Sequence, residues 1–377
     1  MTSKLKTVNW LSYRDASGDP ADIEGLLAEI SSNSDQADEA LSELEDRLII
    51  PGVVCSVGPN AIEVLLELLP TVEPEVEDRL YMILSFFDRH IRFGDDEMIS
   101  RCSPIEPFAS YEDLRRAVRD SLNKGKELYQ AVIENPEPAQ LDKLRAAASL
   151  LGEAAHGEPD LLPLYEDLIV SAQEPQMLVD VFMAARTIGQ DSEAWRHMLR
   201  RLIEAGRTRR VVSGLAAVFL IEESGPAIST EADDVFLSCR GTMGWYTVQD
   251  VARRLSRTTL RRLYSLLLVP GPGSMAFVEL HQAFHFLSVC FDRHLRLRGE
   301  SSASGTKHGW FFEVEGTAAP PPEKLSPDQS LLLARLADAD VLWSQNTNLW
   351  SIFGLPGDRW ELRALAESNG DIPTASP

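Results

Sequence analysis

Two histidines four residues apart, His281 and His285, are the first candidates for chemistry in this chain. On a helix predicted over 274–297 both imidazoles would face one side, with Glu279 nearby. A zinc site needs a third ligand, and the chain has Gln282 where zinc proteases carry their general-base glutamate. The spacing therefore indicates ordinary core or surface histidines, and we predict no metal and no cofactor.

A second pattern, Phe-Asp-Arg-His, occurs at two distant places, 87–93 and 291–297. Consecutive residues of a helix point in different directions, so this Asp, Arg and His cannot form one compact catalytic unit. The structural interpretation is cations at helix C-termini, with the aspartate pairing across a helix pair. The functional interpretation is two symmetric points on a concave surface, which makes His90 and His294 the leading surface candidates.

An acidic run follows the first of these patterns, since Asp95 and Asp96 come directly after Gly94. The run lacks the spaced ligands of an EF-hand loop, so it indicates solvated carboxylates rather than a calcium site. Together with Arg92, these residues are candidates for contact with a partner, and so are His281, His285, Trp245 and Trp310.

Arginines form a basic strip in the middle of the chain, and Trp195 and Trp245 flank parts of it. Its members are Arg196, Arg200, Arg201, Arg207, Arg209, Arg210, Arg253, Arg254, Arg257, Arg261 and Arg262. Some helical-repeat proteins use such a strip to hold DNA and stack bases on aromatic side chains. The other interpretation is ion pairs between repeats. A net charge of -22 favours the ion pairs, because the whole chain repels phosphate.

Motifs of catalysis are otherwise lacking in the sequence. No Gly-x-Ser-x-Gly nucleophile elbow occurs, and the glycines at 271 and 273 do not follow a predicted strand, so they indicate a turn. An enzyme with a pocket between repeats, near His281, His285, Trp310 and the 299–325 segment, is kept as an alternative.

Charge is concentrated in one half of the chain. Residues 1–190 carry 16 basic and 36 acidic side chains, a net charge of -20 out of the total of -22. An acidic surface attracts basic proteins and repels nucleic acid and anionic membrane. We therefore expect a basic protein partner, no nucleic acid and no membrane.

The cysteines and the N-terminus bear on location. The cysteines are far apart, at 55, 102, 239 and 290, which argues against a disulfide framework and for a reducing compartment. The first residues lack the apolar stretch of a signal peptide, and every apolar run is shorter than the ~20 residues of a membrane span. The sequence predicts a cytoplasmic protein.

Apolar residues recur at helical spacing through most of the chain, which predicts an all-α protein. Segments 148–152, 185–189 and 217–221 are similar to one another at spacings of 37 and 32 residues, a period typical of stacked two-helix repeats. We predict an α-solenoid of antiparallel helix pairs over 21–298, after an N-terminal extension (1–20). A long loop with one short strand at 310–314 (299–325), a C-terminal helical cap (326–367) and a flexible tail (368–377) follow.

Two stretches resemble a family of bacterial HEAT-like repeat proteins. The first is 48–69, similar to that family's first helix pair, although Ile49, Ile50 and Pro51 replace a polar, histidine-containing start. The second, similar to the family's C-terminal end, comprises 325–329, 333–337, 342–343, 348–350, 353–356, 358–359 and 362–365. The resemblance implies a solenoid that binds a macromolecule, including neutralisation of toxins by immunity proteins, and it implies no catalytic residues.

The sequence therefore predicts a macromolecule-binding protein of the adaptor or immunity type rather than an enzyme.

Overall fold

The computed structural model is predominantly helical over the residues that it describes. Those residues are 5–32, 36–50, 53–93, 103–137, 140–205, 209–224, 230–252, 255–269, 286–291, 295–301, 308–314, 325–339, 343, 350 and 353–368. Within them the predicted helical class is confirmed, and the strands form a single antiparallel hairpin. In the same ranges, no helix combines the length and the apolar character that crossing a lipid bilayer requires.

The chain divides into two compact units, unit 1 (1–198) and unit 2 (199–377). The helices of unit 1 are α1 (Glu24–Ser31), α2 (Ala37–Leu48), α3 (Gly58–Leu68), α4 (Pro74–Phe93), α5 (Tyr111–Asn123), α6 (Lys126–Glu134), α7 (Leu141–Ala154), α8 (Leu162–Ser171) and α9 (Pro175–Gly189). Helix α10 (Glu193–Ala205) crosses the division. Unit 2 continues with α11 (Arg210–Ser224), α12 (Thr230–Ala252), α13 (Arg257–Leu267), α14 (Pro327–Asp338) and α15 (Arg359–Ser368). One repeat array over 21–298 stays a prediction.

Two helix starts follow directly from local sequence. The side chain of Ser110 accepts a hydrogen bond from the backbone N–H of Asp113 (3.1 Å) at the start of α5. At the start of α14, Ser326 and Gln329 form a complete capping box, with Pro327 in the first turn. Both satisfy backbone N–H groups that would otherwise lack a partner at a helix N-terminus. Each cap joins residues three positions apart, so it depends on the local sequence alone.

Helices α4 and α7 lie side by side in unit 1 and run in the same direction. Near their N-terminal ends, Lys143 Nζ lies 2.6 Å from a carboxylate oxygen of Glu77. Further along both helices, Ser149 Oγ donates a hydrogen bond to Asp88 (3.2 Å). Because early residues contact early residues and later residues contact later ones, the two helices are parallel.

Helix α9 extends this arrangement on the other side of α7. Arg145 of α7 donates two hydrogen bonds to one carboxylate oxygen of Asp180 (2.7 and 2.9 Å). Toward the C-terminal ends, Gly152 lies so close to α9 that an added Cβ would come within 2.8 Å of the Cβ of Ala184. Helices α4, α7 and α9 are therefore three parallel neighbours in one layer.

The helix that precedes α9 runs against it. Gly189, at the end of α9, lies next to Leu162, at the start of α8, since a Cβ on Gly189 would be 3.1 Å from that leucine. Tyr165 of α8 donates its hydroxyl to the carbonyl of Ala148 in α7 (2.6 Å), which attaches α8 to the parallel layer. Helices α8 and α9 thus form one antiparallel pair.

A β-hairpin occupies part of the predicted 299–325 loop. Strand β1 (Leu295–Ser301) pairs antiparallel with β2 (His308–Val314), with Leu295 opposite Val314 and Ser301 opposite His308. Two predictions are corrected: the helix over 274–297 does not reach 297, and the loop does not begin at 299. Apolar and polar residues alternate from Leu295 to Arg298, and this period of two is typical of a β-strand rather than a helix.

Candidate functional site

The predicted partner-binding residues are distributed over several elements. His90 and Arg92 lie in α4, Trp245 in α12 and Trp310 in β2. The other candidates fall outside the described residues, and they are Asp95, Asp96, His281, His285 and His294. That these residues share one binding surface stays a prediction.

His90 is half-buried and contacts Phe86 of its own helix. Its Nδ1 lies 2.9 Å from the carbonyl oxygen of Phe86, so this nitrogen is the donor. The imidazole also packs on the Phe86 ring, with 3.8 Å between the ring centroids. Asp88, two residues earlier, is buried and accepts from Ser149 on α7. This contact joins α4 to its parallel neighbour α7.

Four carboxylates gather at the N-terminal ends of α4 and α7. They are Glu77, Asp78, Glu137 and Asp142, here called the acidic edge. Lys143 contacts both Glu77 (2.6 Å) and Gln140 (3.0 Å), which brings the segment that carries Glu137 and Asp142 beside Glu77 and Asp78. The negative charges of Glu77, Glu137 and Asp142 all raise the pKa of Asp78. Helix N-termini carry a partial positive charge, so carboxylates are favoured there. Folding thus concentrates negative charge from two distant segments at one place.

One buried cation lies within the acidic edge. Lys143 is 8% exposed, pairs with Glu77 and also donates a hydrogen bond to Gln140 (3.0 Å). Its ammonium lies 5.8 Å from the centroid of the Tyr81 ring, within cation–π range. Lys143 and Arg145, which lies 3.7 Å from Asp142, offset at most two of the four carboxylates, so the acidic edge keeps a net negative charge.

Within this cluster, the ionised carboxylate of Asp78 is electrostatically disfavoured. Burial raises the pKa of its carboxyl above the usual value, Lys143 lowers that pKa, and the three neighbouring carboxylates raise it further. Its Oδ1 is buried and makes no hydrogen bond within the described part of the chain. The ionised form of Asp78 is therefore less stable in the folded protein than in the unfolded chain.

Replacing Asp78 by asparagine is expected to raise the free energy of unfolding at neutral pH. With a folded pKa above the unfolded value of 3.8, the folded protein binds more protons between the two values, so Asp78 makes stability fall as pH rises through that window. Urea unfolding at neutral pH and near pH 4 measures this, and the gain from Asp78→Asn should shrink at the lower pH. Asp142→Asn, at a mostly exposed carboxylate, is the control, and an equal gain there would contradict the prediction.

Two arginines of the predicted basic strip form ion pairs with aspartates of the same protein. Arg261 is 7% exposed, and its Nη1 lies 2.9 Å from a carboxylate oxygen of Asp328. Arg262 pairs with Asp233 at 2.6 Å. Trp195 is fully buried, so it cannot stack on a nucleic acid base. For these residues the geometry is that of ion pairs between helices and of core packing.

A groove in unit 1 was missed by sequence reasoning. It has a volume of about 590 Å³, within the range of small-molecule pockets. Helix α5 contributes Arg115 and Arg119, and the C-terminal ends of α7 and α9, with the residues that follow them, contribute Glu153, His156, Thr187 and Gln190. The four-residue spacing of the two arginines indicated a shared helix face. Nothing in the sequence indicated that α7 and α9 end beside that face.

Comparison with protein-family models, with curated proteins and with solved structures gave no match.

Proposed function

We propose that this chain is a helical-repeat protein that binds a basic protein partner, and that the acidic edge forms part of the binding surface. The observation that carries the proposal is the gathering of Glu77, Asp78, Glu137 and Asp142 at the ends of two parallel helices. These carboxylates belong to a segment, 1–190, with a net charge of -20.

The arrangement of α4, α7, α8 and α9 supports a HEAT-like solenoid. Stacked two-helix repeats place their second helices parallel in one layer and their first helices antiparallel to them. The parallel order of α4, α7 and α9 and the antiparallel pair α8–α9 accord with that geometry. The similar segments 148–152 and 185–189 lie in the C-terminal halves of α7 and α9, as repeats would require.

The negative charge of the acidic edge indicates which kind of partner it would bind. A surface of carboxylates attracts a protein rich in lysine and arginine, and complementary fields accelerate the encounter of the two. An immunity-type protein that neutralises a cationic toxin in the cytoplasm, or an adaptor for a basic protein, would use such a surface. Binding rather than catalysis is the proposed activity.

Affinity capture from the native cell lysate at low and at high salt is the first experiment. A basic protein retained at low salt and released at high salt would support the proposal. Its association rate should then fall steeply as salt increases, because the Debye length shrinks from about 30 Å at 0.01 M to about 10 Å at 0.1 M. An association rate that is indifferent to salt would count against electrostatic binding.

Reversing one charge of the acidic edge tests where the partner binds. Glu137→Lys is expected to slow association at low salt by about tenfold, since it weakens the steering field at the contact. Glu361→Lys makes the same charge change at an exposed site in unit 2 and should leave the rate nearly unchanged. Equal slowing by both variants would show that total charge, not the acidic edge, governs binding.

A further inference from the structure

Arg119, in the groove of unit 1, differs from the cations around it. Its side chain is only partly exposed, and within the described ranges it makes no hydrogen bond or ion pair. Nearby cations find carboxylates, since Arg116 pairs with Asp113 (3.5 Å) and Lys124 pairs with Glu63 (2.7 Å). In a chain with 58 acidic and 36 basic side chains, an arginine without a carboxylate is available to an external anion.

A second arginine lines the same groove. Arg115 lies one helical turn before Arg119, so both guanidinium groups come from one face of α5. Arg115 already lies 3.8 Å from a carboxylate oxygen of Glu112, and Glu153 is a further carboxylate of the lining. Arg119 is therefore the arginine of the groove that has no carboxylate partner within the described ranges.

The C-terminal ends of α7 and α9, which line the same groove, disfavour the binding of an anion. Each helix C-terminus carries the equivalent of about half a negative charge, which disfavours an anion. The guanidinium group of Arg119 carries a full charge and offers directed N–H donors that match the oxygens of phosphate and carboxylate. Arg119 makes no hydrogen bond to those helix ends within the described residues, so it is not used as a C-terminal cap. Arg119 therefore favours an anion through directed hydrogen bonds rather than through an excess of positive charge in the lining.

We propose that this groove binds a small molecule that carries a phosphate or carboxylate group, with Arg119 holding its oxygen atoms. The volume of about 590 Å³ fits a small metabolite rather than a protein segment. The site goes beyond the proposed protein binding. It lies at the C-terminal end of α7, whereas the acidic edge lies at the N-terminal end of that helix. Either proposal can fail without the other.

Titration calorimetry at low, matched ionic strength tests the proposal with inorganic phosphate and with malonate as separate probes. Saturable binding of at least one probe is expected, and the one that binds more tightly identifies phosphate or carboxylate as the preferred group. Arg119→Gln should weaken binding by at least about tenfold, because it removes charge-assisted hydrogen bonds. Arg119→Lys keeps the positive charge but loses the paired N–H donors of the guanidinium group, so it should give an intermediate loss of affinity.

Arg116→Gln is the matched control, since it removes the same charge from an exposed site on the same helix, outside the groove. It should leave the affinity within about twofold of the original protein, a change below the value of one hydrogen bond. Circular dichroism of each variant confirms that the helices are retained. No saturable binding of either probe, or equal losses for Arg116→Gln and Arg119→Gln, would overturn the proposal.

Discussion

Replacing Asp328 by alanine is expected to lower the free energy of unfolding by about 3 kcal/mol. The carboxylate pairs with Arg261, whose side chain is 8% exposed, and the same guanidinium donates its Nε hydrogen to the carbonyl of Val289 (3.1 Å). Without Asp328, only the Val289 carbonyl remains of these two partners of Arg261. That carbonyl is neutral and does not balance the buried positive charge. The side chain of Asp328 itself is 20% exposed, so water enters partly and the loss falls at the low end of the range for buried pairs.

Urea unfolding followed by circular dichroism measures this loss. Glu367→Ala is the control, because it removes the same kind of group from an exposed pair with Arg363 and should cost less than about 1 kcal/mol. Replacing Arg261 by methionine in the Asp328→Ala background should recover part of the stability, since the uncompensated charge is then gone. A double variant that is less stable than Asp328→Ala would show that Arg261 stabilises unit 2 mainly by packing.

Replacing Gly152 by alanine is expected to lower the free energy of unfolding by about 1–2 kcal/mol. The added Cβ would lie 2.8 Å from the Cβ and 2.9 Å from the Cα of Ala184, so α7 and α9 would have to separate. A backbone atom cannot rotate away as a long side chain can, and overpacking of this kind outweighs the gain of about 0.4–1 kcal/mol from a less flexible unfolded chain.

Gly25→Ala is the matched control for this prediction. Gly25 lies in α1, and an added Cβ there would meet nothing within 4 Å. Only the effect on the unfolded chain then acts, so this variant should raise the free energy of unfolding by about 0.5 kcal/mol. Opposite signs for the same chemical change would show that α7 and α9 are in close contact. A stabilised Gly152→Ala variant would contradict the arrangement of these two helices.

Features that depend on neighbouring residues were predictable from the sequence. The capping residues at Ser110 and Ser326 depend on groups three positions away, so no tertiary contact is needed to assign them. Helical class follows from apolar spacing for the same reason. The β-hairpin is harder to predict, because the alternating stretch at 295–298 overlaps a Phe-Asp-Arg-His pattern that favours a helix.

The candidate site was less accessible to sequence reasoning. Repeated sequence patterns identify polar residues such as His90 as candidates. In the structure, His90 packs on Phe86 of its own helix. The acidic edge combines Glu77 with Asp142, and the groove combines Arg119 with Thr187, pairs that are far apart in the chain. Their meeting depends on which helices become neighbours, and no short pattern encodes that choice.

By itself, the sequence determined the helical class, the helix starts and the excess of acidic charge over 1–190, because each depends on composition or on residues within one helical turn. Only the tertiary structure decided that α4, α7 and α9 lie parallel, that carboxylates meet at one end of α7 and that arginines of α5 face its other end. Packing decides these features, because each helix buries its apolar stripe against partners distant in sequence, and that contact determines which polar side chains are brought together.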